Sequence, residues 1–92
     1  MSGISLRFAP EAQDDINQIQ QYTYDTFGLD QLDAYEAQLY DAFDRIREHP
    51  LIGREGEDGV RELVLRHHVV LHEFDGETVM RSRVMHPRRF RG

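Results

Sequence analysis

The sequence predicts a single α+β domain over residues 1–92, with elements in the order β-α-α-β-β-β and one layer of helix on one layer of sheet. Three observations predict it. A short alternating segment opens the chain, two long stretches with apolar residues every three or four positions follow, and three apolar runs broken by turn residues close it.

Ile4, Leu6 and Phe8 alternate with Ser5 and Arg7, the period-two signature of a half-buried strand. Pro10 then stands where the first turn of a helix accepts it, and Glu11, Asp14 and Asp15 suit the positive end of the helix dipole. Ala12, Ile16, Ile19, Tyr22 or Thr23, and Phe27 form the apolar stripe of this first helix, which Gly28 ends. A second helix is expected after Asp30, with Asp33 three residues on in a capping-box-like arrangement. Its stripe is Leu32, Tyr35, Leu39, Ala42 or Phe43, and Ile46, and His49-Pro50 stops it. Two amphipathic helices so closely joined are expected to lie antiparallel. Val60 to Leu65, His68 to Phe74 and Thr78 to Met85 read as strands, and Asp75-Gly76 between the last two is a hairpin signal, so these three form an antiparallel meander.

A chain of 92 residues supports one modest core and no second module. It has no cysteine, which removes disulfides and thiolate metal sites and suits a reducing compartment. The opening MSGISLRF lacks the apolar core of a signal peptide and no run is long enough to span a bilayer, so a cytoplasmic protein with no membrane association is expected. The net charge of −6 hides a gradient: residues 1–59 carry four arginines against thirteen acids, a balance of −9, and residues 60–92 carry seven against four, a balance of +3. All eleven basic residues are arginine, the side chain suited to planar, bidentate capture of carboxylate or phosphate, although a GC-rich genome also favours arginine codons.

The opening FAPEAQDDINQIQQYTYDTFG, the helix end REHPLIGREG, the strand GVRELVL and the closing RVMHPRRF resemble toxins of the RelE/ParE superfamily, of type II toxin-antitoxin systems, and the ParE side of it more closely. The ordered set P-x-A-x-x-D-x-x-x-I, H-P-x-x-G-R, G-x-R-E-L and R-V-x-H covers nearly the whole chain. The resemblance implies a twisted antiparallel sheet with the two-helix hairpin packed on one face. It also implies a hetero-oligomer with a cognate antitoxin that folds as it wraps the toxin, no cofactor, and DNA gyrase as the target.

A RelE-like ribosome-dependent mRNA endonuclease is the alternative, and it would use Arg61, Arg81, Arg83 and His86 to stabilise phosphate charge and move protons. Against it, Val69 stands where several nuclease members carry a strand arginine, and no tyrosine follows Tyr40. A third reading is a non-toxic relative that binds its antitoxin-like partner and helps repress the shared operon.

Strand alternation puts Arg81 and Arg83 on one face of the last strand and Met80, Ser82 and Val84 on the other. With Arg61 on a neighbouring strand, the two would line an uncovered cationic groove for the target or antitoxin; otherwise they are a solvated face paired across strands to Glu62 or Glu73. His86 at the strand end can titrate near neutral pH, and Arg88 and Arg89 extend the basic surface into the tail. His67, His68 and His72 lack the spacing and acidic company of a metal site, so no metal is expected. Gly53-Arg54-Glu55-Gly56 reads as a glycine turn rather than a phosphate loop. Tyr22, Tyr24, Tyr35 and Tyr40 read as core residues on or beside the helical stripes.

Overall fold

The computed structural model describes residues 5–85. The elements are β1 (Ser5–Phe8), α1 (Pro10–Phe27), α2 (Leu29–Glu48), β2 (Arg54–Glu55), a 3-10 turn (Glu57–Gly59), β3 (Arg61–Val64), β4 (Val69–Phe74) and β5 (Thr78–Met85). They form a five-stranded sheet in the order β1-β5-β4-β3-β2 with the two helices on one side.

Pro10 starts α1 as its sequence requires, since the first turn has no partner for the missing N–H. Gly28 alone separates the helices, ending α1 and preceding α2, which therefore starts at Leu29 rather than after Asp30. Its φ of 89° and ψ of −174° belong to a region that glycine alone enters freely, and this lets the chain reverse in one residue. No side-chain cap forms at Asp30, because the reversal has already begun the helix. The two helices are tied by Gln20 Nε2 donating to Glu36 Oε2 at 2.8 Å.

Tyr35, Leu39, Ala42, Phe43 and Ile46 recur at helical spacing and are buried against Leu63, Val70, Val79 and Val84 of the sheet and Ile16 of α1. Each of the valine, leucine, isoleucine and phenylalanine side chains removed from water contributes about 1.5–3 kcal/mol, and this common core fastens the hairpin to the strands.

β3, β4 and β5 pair antiparallel as expected, but β1 joins the edge of β5 in parallel, so the sheet is mixed. The path of the hairpin explains this. It passes Tyr35 beside the ring of His68 at the β3–β4 turn and returns to put Phe43 against Phe8 and the Pro50 carbonyl against His72. β3 thus sets out in the direction of β1, and two antiparallel reversals bring β5 round to the same direction.

The sequence pattern does not anticipate β2. It pairs Arg54 with Glu62 and Glu55 with Arg61, and Gly53 and Gly56 close around the buried Glu62. A Cβ on Gly53 would come within 2.6 Å of the Glu62 carbonyl oxygen, and one on Gly56 within 2.6 Å of Glu62 Oε2. These glycines clear space for a carboxylate that Arg54 holds through Nε at 2.9 Å, as well as allowing a turn.

Candidate functional site: a cationic row beneath the end of the second helix

Strand register sets one row of residues across the whole width of the sheet: Phe8, Arg81, His72, Arg61 and Glu55. Val70, Leu63 and Val79 lie on the same side of their strands, so the row faces the helices, below the last turns of α2. That end of a helix carries partial negative charge and tolerates cations, and Arg45 and Arg47 stand on its last turn.

Arg81 is only 5% exposed. Its guanidinium carbon lies 3.6 Å from the Phe8 ring centroid and 4.8 Å from that of Phe43, and its Nε donates to the Arg7 carbonyl at 3.1 Å. Burial, with the like charge of Arg47 adding to it, pushes its pKa down to about 10, so it remains a cation at neutral pH. His72 is fully buried and bonds the Pro50 carbonyl through Nε2 at 3.0 Å. Burial lowers its pKa and the Arg61 charge does so further, against the opposing effect of the Pro50 bond. His72 Nδ1 and Arg61 Nε are buried and make no hydrogen bond among the described residues, while Arg61 Nη2 donates to the Gly53 carbonyl at 3.2 Å.

Arg83 stands apart from this row. A bulge at Ser82 shifts the register so that Arg81 opposes His72 and Arg83 opposes Leu71, which places the two arginines on opposite faces. Val79 and Arg81, rather than Met80 and Ser82, therefore share the helix-facing side with Val84. The expectation that Arg81 and Arg83 share an uncovered face is corrected on this point. Arg83 instead reaches Asp15 of α1, with Nε to Oδ2 at 2.7 Å and Nη2 to Oδ1 at 3.1 Å, and Asp15 also accepts the backbone N–H of Val84 at 3.0 Å. That hydrogen-bonded pairing raises the pKa of Arg83 above its ordinary value. Neither of the cross-strand pairs weighed from sequence forms, since Glu62 is taken by Arg54 and Glu73 accepts from Ser82 at 3.1 Å.

The comparisons with known proteins bear on the whole chain. Residues 6–89 match the family described as "ParE toxin of type II toxin-antitoxin system, parDE". The chain belongs to the ParE toxin family. Two curated relatives, each named "Toxin ParE1" and found in Mycobacterium tuberculosis strains CDC 1551/Oshkosh and ATCC 25618/H37Rv, are 36% identical to it over 84 residues, covering 87% of this chain and 86% of theirs. A solved structure described as "Chromosomal ParDE TA system from P. aeruginosa" shares the fold with a TM-score of 0.81 at 18% identity, over 91% of this chain and 96% of that one.

Within this ParE-family fold, the residues singled out from sequence fall into three groups. Arg61 and Arg81 come together in one row with His72 between them, Arg83 is held separately by Asp15, and His86, Arg88 and Arg89 lie outside the described residues. Pattern reasoning did not select Phe8, Phe43, His72 and Asp15 as site residues. The signal available for His72 was its place directly between two arginine-bearing strands. Among the described residues, no cluster of three or more His, Asp or Glu side chains is placed to hold a metal, and no helix is long and apolar enough to cross a membrane.

A second surface lies on the hairpin. Tyr35 alone of the four tyrosines is buried; Tyr22 is 63% exposed, and Tyr24, Phe27, Leu29 and Tyr40 are more than half exposed. The core reading of Tyr22, Tyr24 and Tyr40 is corrected accordingly. Tyr22 and Phe27 pack edge to face, with ring centroids 6.3 Å apart, so aromatic area is concentrated beside the Gly28 reversal.

Proposed function

We propose that this chain is the growth-arresting toxin of a type II toxin-antitoxin pair, neutralised by its cognate antitoxin, and that it acts by binding DNA gyrase without breaking a bond of its own. The match of residues 6–89 to the ParE toxin family carries this reading. The solved relative is named as a ParDE toxin-antitoxin system, which supports an antitoxin as the partner.

Among the described residues, the chemistry of the cationic row supports inhibition by contact over RNA cleavage. In-line attack by a ribose hydroxyl needs an accessible acid or base and cations free to gather round one phosphate. His72 is sealed under Pro50, and Arg83 is paired to Asp15. The exposed aromatic group on the hairpin supplies the large, stiff side chains that anchor protein interfaces.

Inducible expression in bacterial cells tests the reading. Growth should stop when the chain is made alone and resume when the cognate antitoxin is made with it, with cellular mRNA left intact. Unimpaired growth without antitoxin would favour the binding-only relative, and growth arrest with cleaved ribosome-bound message would favour the nuclease.

A further inference from the structure

Arg81 is a cation held in place without a counter-ion among the described residues. Resting on the reading of the chain as an antitoxin-neutralised toxin, we propose that the Arg81 guanidinium binds one carboxylate, an Asp or Glu side chain of the antitoxin. The side chain is fixed on three sides by Phe8, Phe43 and the Arg7 carbonyl, so little freedom remains to be lost on binding. Its two terminal nitrogens make no hydrogen bond among the described residues, and they are not among the polar atoms sealed from solvent without a partner. A planar fork, rigidly held and with no protein acceptor on its terminal nitrogens among the described residues, matches the two oxygens of a carboxylate.

The charges around it point the same way. The whole chain carries seventeen acids against eleven arginines, and its ion pairs among the described residues serve Arg45, Arg54 and Arg83. Arg81, more buried than any of these three, has none. Its surroundings are the neutral His72, the Arg61 beyond it and Arg47 above. A buried cation without a counter-ion costs stability that an apolar side chain of similar length would not. Packing against two phenylalanine rings therefore does not explain why the position is arginine. A nucleic-acid phosphate is the poorer occupant, because a polyanion must approach a chain of net charge −6 whose two helices carry ten acids and two arginines. A single acidic side chain on a protein segment brings one negative charge and meets a smaller barrier.

The test is calorimetric titration of the full-length cognate antitoxin into the full chain and into Arg81→Met, Arg81→Lys and Arg66→Gln. Arg81→Met should keep or raise the melting temperature while binding the antitoxin roughly ten- to a hundredfold more weakly, the loss expected for a charge-assisted pair. Arg81→Lys should recover part of the loss, and Arg66→Gln, an equal loss of charge at an exposed turn, should bind within about twofold of the wild type. Wild-type affinity in Arg81→Met overturns the proposal, as does a variant that loses gyrase inhibition and keeps antitoxin affinity. The wild-type chain gives a second readout in which no variant must fold. Titrated with acetyl-Gly-Glu-Gly-amide, the Arg81 guanidinium resonances in an arginine-labelled NMR spectrum should shift while those of Arg66 stay still, and an unresponsive Arg81 overturns the slot. If the antitoxin fails to bind the wild type while the peptide does shift Arg81, the toxin-antitoxin reading fails and the carboxylate slot stands.

Discussion

Asp15 accepts two hydrogen bonds from Arg83 and one from the Val84 backbone, where β5 runs on past the end of β1. Its loss leaves a strand N–H without a partner as well as an unpaired guanidinium. Asp15→Ala is expected to cost about 1–3 kcal/mol in urea denaturation, and Arg83→Gln at most about 1 kcal/mol, since that guanidinium is largely in water. Equal losses in the two variants would show that the backbone bond contributes nothing. His72 gives a pH signature. Its folded pKa lies below the ordinary 6.5, chiefly through burial, so the unfolded chain takes up the proton first. The stability that the neutral ring contributes is complete above pH 6.5 and is lost as the pH falls from there toward the folded value. Thermal melts between pH 7.5 and 5.5 should show this decline, and His72→Gln, which retains an N–H for Pro50, should flatten it. An unchanged slope would assign the decline to other groups. The sequence did not show the role of either residue, because a partner 68 or 69 residues away for Asp15 and 22 residues away for His72 leaves no local pattern.

At the scale of elements, both helices and four of the five strands were legible from their periodicities. Three of the places that were not legible share one cause: a single residue changed the phase. Ser82 is the extra residue that separates Arg81 from Arg83, and nothing in Arg81-Ser82-Arg83 distinguishes a bulge from a regular strand. On α1 the stripe left Tyr22 and Thr23 as alternatives, about 100° apart round the helix, and packing chose Thr23, which put the larger tyrosine into solvent. Gly28 shortened the expected link between the helices to one residue. Gly28→Ala meets no atom within 4 Å, so its cost is purely that of the backbone conformation. The loss should be about 1–3 kcal/mol, read from the denaturation midpoint, and a neutral substitution would mean that the reversal adopts another geometry.

The whole molecule is an electrically divided protein: acids dominate the helical layer, and the sheet brings Arg61 and Arg81 to the end of α2. The sequence carried that division openly, as a swing from −9 over residues 1–59 to +3 over residues 60–92. It did not show that the cations lie under the helix end rather than on the free face, since this follows from which side of the sheet the hairpin covers. A buried, rigid arginine and an exposed aromatic group make two chemically different features on one small fold, and they suit the proposed role, which needs one contact for a neutralising partner and another for a target. Inhibition of gyrase by contact is tested most directly by the supercoiling of relaxed plasmid by the purified enzyme, with the chain added alone and together with its antitoxin. Supercoiling should fall with added chain and recover when the antitoxin is present. Undiminished supercoiling at a large molar excess of the chain, alongside cleavage of ribosome-bound message, would contradict it.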